Sequence, residues 1–136
     1  MSEQNDPGPA QRRSPHAEIS NQISRIQSTY YGKGPLRAKT YMQDDLVCCV
    51  LEETFTRAEK TLIRRGERES IQRIRRQFQE AVKEEFIGVV EQVTGRKVRA
   101  FMSDTDVDND ISVETFLMAE DRTSMEKFEK DAKQTD

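Results

Sequence analysis

The densest chemistry in the chain is acidic. Asp104, Asp106, Asp108 and Asp110 fall within one short run, Ser103 to Asp110, and the first three stand at positions 1, 3 and 5 of a calcium-loop ligand pattern. Asn109 sits where that pattern needs glycine, and Thr115 where it needs a bidentate glutamate, with Glu114 one residue early. The flanking segments read as strands, which excludes an EF-hand. Carboxylates crowded into one turn repel and would gain from a divalent ion, so a weak oxygen-ligand cation site over these four aspartates is one expectation. The preferred one is a polar hairpin turn whose Asp and Asn side chains bond the local backbone.

A second cluster is basic. Arg64, Arg65, Arg68, Arg73, Arg75 and Arg76 crowd one corner of the sequence, and such a patch on a mixed scaffold suggests an RNA-binding module. Glu67 and Glu69 interrupt it, the G-x-x-G clamp of a KH domain is missing, and no strand carries paired exposed aromatics as an RRM would. A solvated face with ion pairs to Glu69, Glu80 and Glu84 is the preferred reading, followed by an acidic protein surface as partner; nucleic acid is not expected. Gly32-Lys33-Gly34-Pro35 could present amides and a lysine to an anion. It is too short for a phosphate loop and leads into a strand rather than a helix N-terminus, so a turn is favoured.

No catalytic constellation is expected. His16 is the only histidine, so neither a histidine triad nor a histidine metal site can be built. Cys48 and Cys49 are adjacent, which suits neither a loop-closing disulfide nor a metal site. On a strand they point to opposite faces, and each is expected to act as a small buried apolar residue. No cofactor is implied.

These residues must be positioned by a small number of elements. From Glu69 to Gly95 the chain holds one unbroken helical pattern, with Ile71, Ile74, Phe78, Ala81/Val82, Val89 and Val93 at three- and four-residue steps. Phe86, Ile87 and Val90 widen the stripe, so its C-terminal half should be the more deeply buried, and Gly95 should end it as a left-handed cap. A first helix, about Ala17 to Tyr30, presents Ile19, Ile23, Ile26 and Tyr30. Leu36 to Met42 alternates as a half-buried strand with Leu36, Ala38, Thr40 and Met42 inward; Leu46 to Leu51 is an apolar central strand. Thr56 and Glu59 form a capping box before a short helix carrying Ala58, Leu62 and Ile63 and ending at Gly66. Val98 to Met102 and Ile111 to Met118 form a second hairpin, with Ile111, Val113, Thr115 and Leu117 on one face. The expectation is one α+β domain, ordered α-β-β-α-α-β-β, whose antiparallel four-stranded sheet is packed by the long helix. Residues 1–15 read as a disordered leader and 119–136 as a charged tail with a weak helical stripe at Met125, Phe128 and Ala132.

The hydrophobic fraction is 34% and the charged fraction 35%, with much of the polarity at the two ends, so the middle can still form a core. A net charge of −3 argues against a protein that coats nucleic acid or anionic membrane. No apolar run approaches the ~20 residues of a membrane span, and no signal-peptide core is present. A reducing cytoplasm is the expected compartment.

The run from about Tyr30 to Met118 resembles a small bacterial family, the MpsC-like component of a Na+-translocating, membrane-potential-generating system. The matching stretches are YYGKGPLRAKTYMQDDLVCCVLEE, TRAEKTLIRRG, IRRQFQEAVKEEFIGVVEQVTGRKVRAFMSD and DNDISVETFLM. Gly32, Gly34, Pro35, the Asp44-Asp45 turn, Gly95, Ser103-Asp104, Asp108 and Asp110 carry its most recognisable motifs. The resemblance implies association with a membrane cation or inorganic-carbon transport system whose other components hold the spans, and it brings no catalytic residues. A chain with no spanning segment cannot conduct Na+ itself. It is therefore expected to be a non-enzymatic cytoplasmic accessory or regulatory protein, possible as a homodimer, docking on a transporter subunit at the inner face of the plasma membrane. Gly32, Lys33, Gly34, Arg64, Arg65, Arg68, Arg73 and Arg76 are the expected contact residues, through the basic corner or a sheet edge. The alternatives are the RNA module and an ion or small-ligand sensor built on the acidic run.

Overall fold

The computed structural model describes residues 14–120. Helix α1 spans Pro15–Tyr31, two residues earlier than the periodicity suggests, because Ser14 caps it through a bond from the Ala17 amide and Pro15 suits a first-turn position. Gly32 ends it in the left-handed conformation, its amide donating to the Ser28 carbonyl at 2.8 Å. Strands β1 (Arg37–Gln43) and β2 (Leu46–Glu52) follow as a hairpin, then α2 (Arg57–Arg64), α3 (Arg68–Thr94), β3 (Val98–Asp106) and β4 (Ile111–Met118). The sheet is antiparallel, in the order β1-β2-β4-β3, so β2 and β4 are central. This is the α+β arrangement expected. Anything about the charged tail beyond Glu120 lies outside the described residues.

Helices α1 and α3 pack on one face of the sheet. Ile19 and Ile23 of α1, Val82, Phe86, Val89 and Val90 of α3, and Val47, Cys49, Leu51, Phe116 and Met118 of the central strands form the main core. Phe55, Ile71 and Val107 form a smaller one at the other end of α3.

Several expected inward faces are corrected. Ile74 is 48% exposed and the inward place beside it goes to Arg75, which is 2% exposed. Ala81 is exposed while Val82 is buried. Tyr30 and Leu36 are exposed, and the buried residue of α2 is Glu59 rather than Ala58 or Leu62. Strand β3 continues to Asp106, so Ser103 to Asp106 are strand and only 107–110 form the turn. Above all, the helix-covered face of β4 carries Ser112, Glu114, Phe116 and Met118. Ile111, Val113, Thr115 and Leu117 do share a face, but it is the one turned away from the helices. Cys49 is buried; Cys48 is half-buried on that same open face. A period of two fixes which residues share a face, not which face the helices cover.

Candidate functional site

Arg75 is the hub of the polar end of the molecule. The Tyr31 ring lies against its guanidinium, whose carbon is 4.0 Å from the ring centroid, and Phe55 lies at 5.0 Å. Its Nε donates to Glu59 Oε2 at 2.7 Å, and its Nη2 to Glu59 Oε1 at 2.5 Å and to the Thr54 carbonyl at 3.0 Å. A planar fork against a carboxylate is the geometry in which a buried charge is tolerated. Glu59 also completes the capping box of α2, accepting from the Thr56 amide at 2.9 Å. Burial pushes its carboxyl up, but the Arg75 and Thr56 hydrogen bonds outweigh that and hold it below the ordinary value.

The acidic run is taken apart by the fold. Asp110 turns inward from a left-handed backbone and accepts from the Thr54 amide at 2.9 Å, the Thr54 hydroxyl at 3.2 Å and the Phe55 amide at 3.2 Å. Asp106 accepts from the Asn109 amide and side chain inside the turn, Asp104 from the Thr105 amide, and Asp108 pairs with Arg68 at 3.0 Å. The four carboxylates therefore do not converge, and among the described residues no three His, Cys, Asp or Glu side chains stand together as metal ligands.

The Gly-Lys-Gly segment is likewise engaged by its own chain. Lys33 Nζ donates to the Glu53 carbonyl at 2.6 Å, and a Cβ on Gly34 would stand 3.3 Å from the Ser24 carbonyl oxygen. Of the arginine corner, Arg64, Arg65, Arg68, Arg73 and Arg76 are exposed while Arg75 is interior. The expected ion pairs of this corner with Glu69, Glu80 and Glu84 are not formed; among the described residues only Arg68 and Arg75 of the six are ion-paired.

The family model described as "Na+-translocating membrane potential-generating system (MpsC)" matches residues 11–120. The chain belongs to the MpsC family. No curated protein and no solved structure matches it. The match takes in α1, beyond the stretch where the sequence resemblance begins. Four of the residues carrying the MpsC-like motifs hold the fold: Gly32 and Gly95 cap α1 and α3, Asp110 ties the 53–55 segment, and Asp45 accepts from Arg96 at 2.6 Å. Among the described residues no helix is long and apolar enough to cross a membrane.

Two features escape sequence reasoning. Inside, Glu114 is 2% exposed, faces Ser103 and Cys49 across its neighbouring strands, and its Oε2 makes no hydrogen bond among the described residues. The Ser103 hydroxyl and the Tyr31 hydroxyl are buried and unpartnered in the same sense. Burial pushes the Glu114 carboxyl up to about 8, against smaller downward pulls from Ser103 and Arg75, so it is protonated at neutral pH.

Outside, the central strands present Leu46, Cys48 and Val50 from β2 and Ile111, Val113 and Leu117 from β4, and no described element covers them. Tyr41 (47% exposed) and Met102 (57%) extend the patch towards the two edge strands. An open antiparallel face ordinarily alternates to polar residues. Here the first half of β4 does the reverse, turning Ser112 and Glu114 towards the helices and Ile111 and Val113 away from them, while Phe116 and Met118 follow the ordinary pattern into the core. The apolar run Ile111, Val113 and Leu117 was the available signal.

Proposed function

We propose that this chain is a non-enzymatic accessory or regulatory component of a membrane cation or inorganic-carbon transport system of the kind its family description names. It works in the cytoplasm or at the inner face of the plasma membrane, by binding other proteins. The observation that carries this reading is the outer face of β2 and β4, an apolar surface of the kind that marks contact with another macromolecule. The exposed corner of Arg64, Arg65, Arg68, Arg73 and Arg76 supplies a second surface suited to an acidic partner.

The test is a crosslinked pull-down of the tagged full chain from native membranes. A polytopic transporter subunit should be recovered, with crosslinks near Arg64 to Arg76, and Arg73→Glu with Arg76→Glu should lose it. Because Arg73 and Arg76 have no ion partner among the described residues, RNA is the second reading. Recovery of nuclease-sensitive ribonucleoprotein in place of a transporter subunit would establish it and reject the accessory role.

A further inference from the structure

We infer that the outer face of the sheet binds a second copy of this chain, face to face, about a two-fold axis that runs along the strands between β2 and β4. This rests on the reading of that face as a protein-contact surface and names its occupant. The evidence is the order of charges across the face. Register places Lys39, Val50, Val113 and Asp104 side by side in one row, and Arg37, Glu52, Ile111 and Asp106 in the next. Towards the other end of the strands a row runs Tyr41, Cys48, Thr115 and Met102. On the open face, the β1 edge is thus basic and the β3 edge acidic, with Leu46, Cys48, Val50, Ile111, Val113 and Leu117 between them; the one charge on the central strands is Glu52, which pairs with Arg37 of its own chain at 3.6 Å.

Rotation about an axis along the strands exchanges the two edges while keeping each row level. Lys39 then faces Asp104 of the other copy and Tyr41 faces Met102, each pairing occurring twice by symmetry, while Arg37 comes level with Asp106 and keeps its own-chain pair with Glu52. At the centre Val50 lies over Val113, and Leu46 over Leu117. The alternative two-fold, across the strands, would set Lys39 over Tyr41, a ring it already lies against in its own chain, but would put Asp104 over Met102 with no cation facing it. Charge complementarity therefore selects one of the two packings open to the face. Four strands ~4.8 Å apart and about seven residues long present a face of roughly 20 by 23 Å. That lies towards the small end of specific interfaces, where a concentration-dependent dimer is expected.

Cys48 lies in the third row and reports on the occupant directly. Cys49 beneath it is buried, and burial pushes its thiol to about 11, so alkylation reads Cys48 alone. The experiment pairs sedimentation of the full chain across a dilution series with the alkylation rate of Cys48. A second copy predicts a monomer–dimer equilibrium, with Cys48 protected as concentration rises. Lys39→Glu alone and Asp104→Lys alone should each weaken the dimer on the order of tenfold, and the two together in one chain should restore it. Both residues are exposed, so the monomer should fold unchanged in every variant, which circular dichroism checks.

A monomer at all concentrations with Cys48 freely alkylated would overturn the inference. So would a monomer whose Cys48 is protected at every dilution, which would assign the face to another part of the same chain. Single charge reversals that leave the dimer intact, or a double reversal that fails to restore it, would reject this packing. Capture of a transporter subunit by a purely monomeric chain would leave the accessory reading standing and remove only the second copy.

Discussion

The two halves of α3 are held by different physics. From Val82 onward it buries Val82, Phe86, Val89 and Val90 against Val47, Leu51, Phe116 and Met118, a contact that stabilises roughly by apolar area removed from water. Before Phe78 it buries Arg75, whose position is set by Glu59, the Thr54 carbonyl and the rings of Tyr31 and Phe55. The apolar half can be repacked by residues of similar volume. The polar half works as a unit, since removing one partner strands the other without water. It joins the end of α1, the start of α2 and the segment tied to Asp110, and so fixes how the hairpins meet the helices.

The sharpest way to break this contrast is to damage each half in turn. Arg75→Ala should cost ~3–5 kcal/mol in denaturant unfolding, chiefly because the Glu59 carboxylate is left buried and unpaired. Arg75→Met combined with Glu59→Gln, which preserves the capping box, should cost much less than the sum of the single changes. Additive losses would show that the pair is not coupled. Phe86→Ala should cost a similar ~3–5 kcal/mol through an apolar cavity, with no charge left behind.

The two buried carboxylates sharpen the contrast through pH. Glu114 keeps its proton in the fold until about pH 8, whereas in the unfolded chain it loses it near the ordinary value. Its contribution is therefore full at acid pH and falls as pH rises towards 8, by roughly a few kcal/mol in all. Glu59 acts in the opposite sense. Its depressed value contributes stability above the ordinary carboxylate range and loses it as the solution becomes acid. Unfolding free energy measured against pH should decline on both sides, and Glu114→Gln should flatten only the decline between the ordinary carboxylate range and about pH 8. An unaltered slope over that window in the variant would show that Glu114 is not the group responsible.

Two smaller effects complete the series. Thr56→Ala should cost about 1 kcal/mol by removing the side-chain acceptor that caps α2 at the Glu59 amide. Ile74→Ala should change stability by less than about 0.5 kcal/mol, because Ile74 lies on the solvent side of α3. A loss of 2 kcal/mol there would place Ile74, not Arg75, in the interior.

Much of the fold was legible because its signals are local. The Thr56–Glu59 capping box, the glycine ends at Gly32 and Gly95, the four strands and the element order all follow from neighbours a few residues apart. The candidate sites were less legible because their partners are distant. Asp110 reads as one more carboxylate of an acidic run until Thr54 and Phe55 claim it. Lys33 reads as an anion-binding lysine until the Glu53 carbonyl takes it.

The α-β-β-α-α-β-β order, the caps and the grouping of residues into faces are written in the chain, since these depend on backbone geometry and short-range hydrogen bonds. Which of two adjacent residues, Ile74 or Arg75, turns inward, and which face of β4 the helices cover, came from the packing of distant elements. Arg75 could go inside because Glu59 and Tyr31 arrive from other elements to satisfy its charge and cover its plane. Ser112 and Glu114 went inside because pairing with both β2 and β3 set the face of the whole strand together, whatever its own hydrophobic pattern preferred.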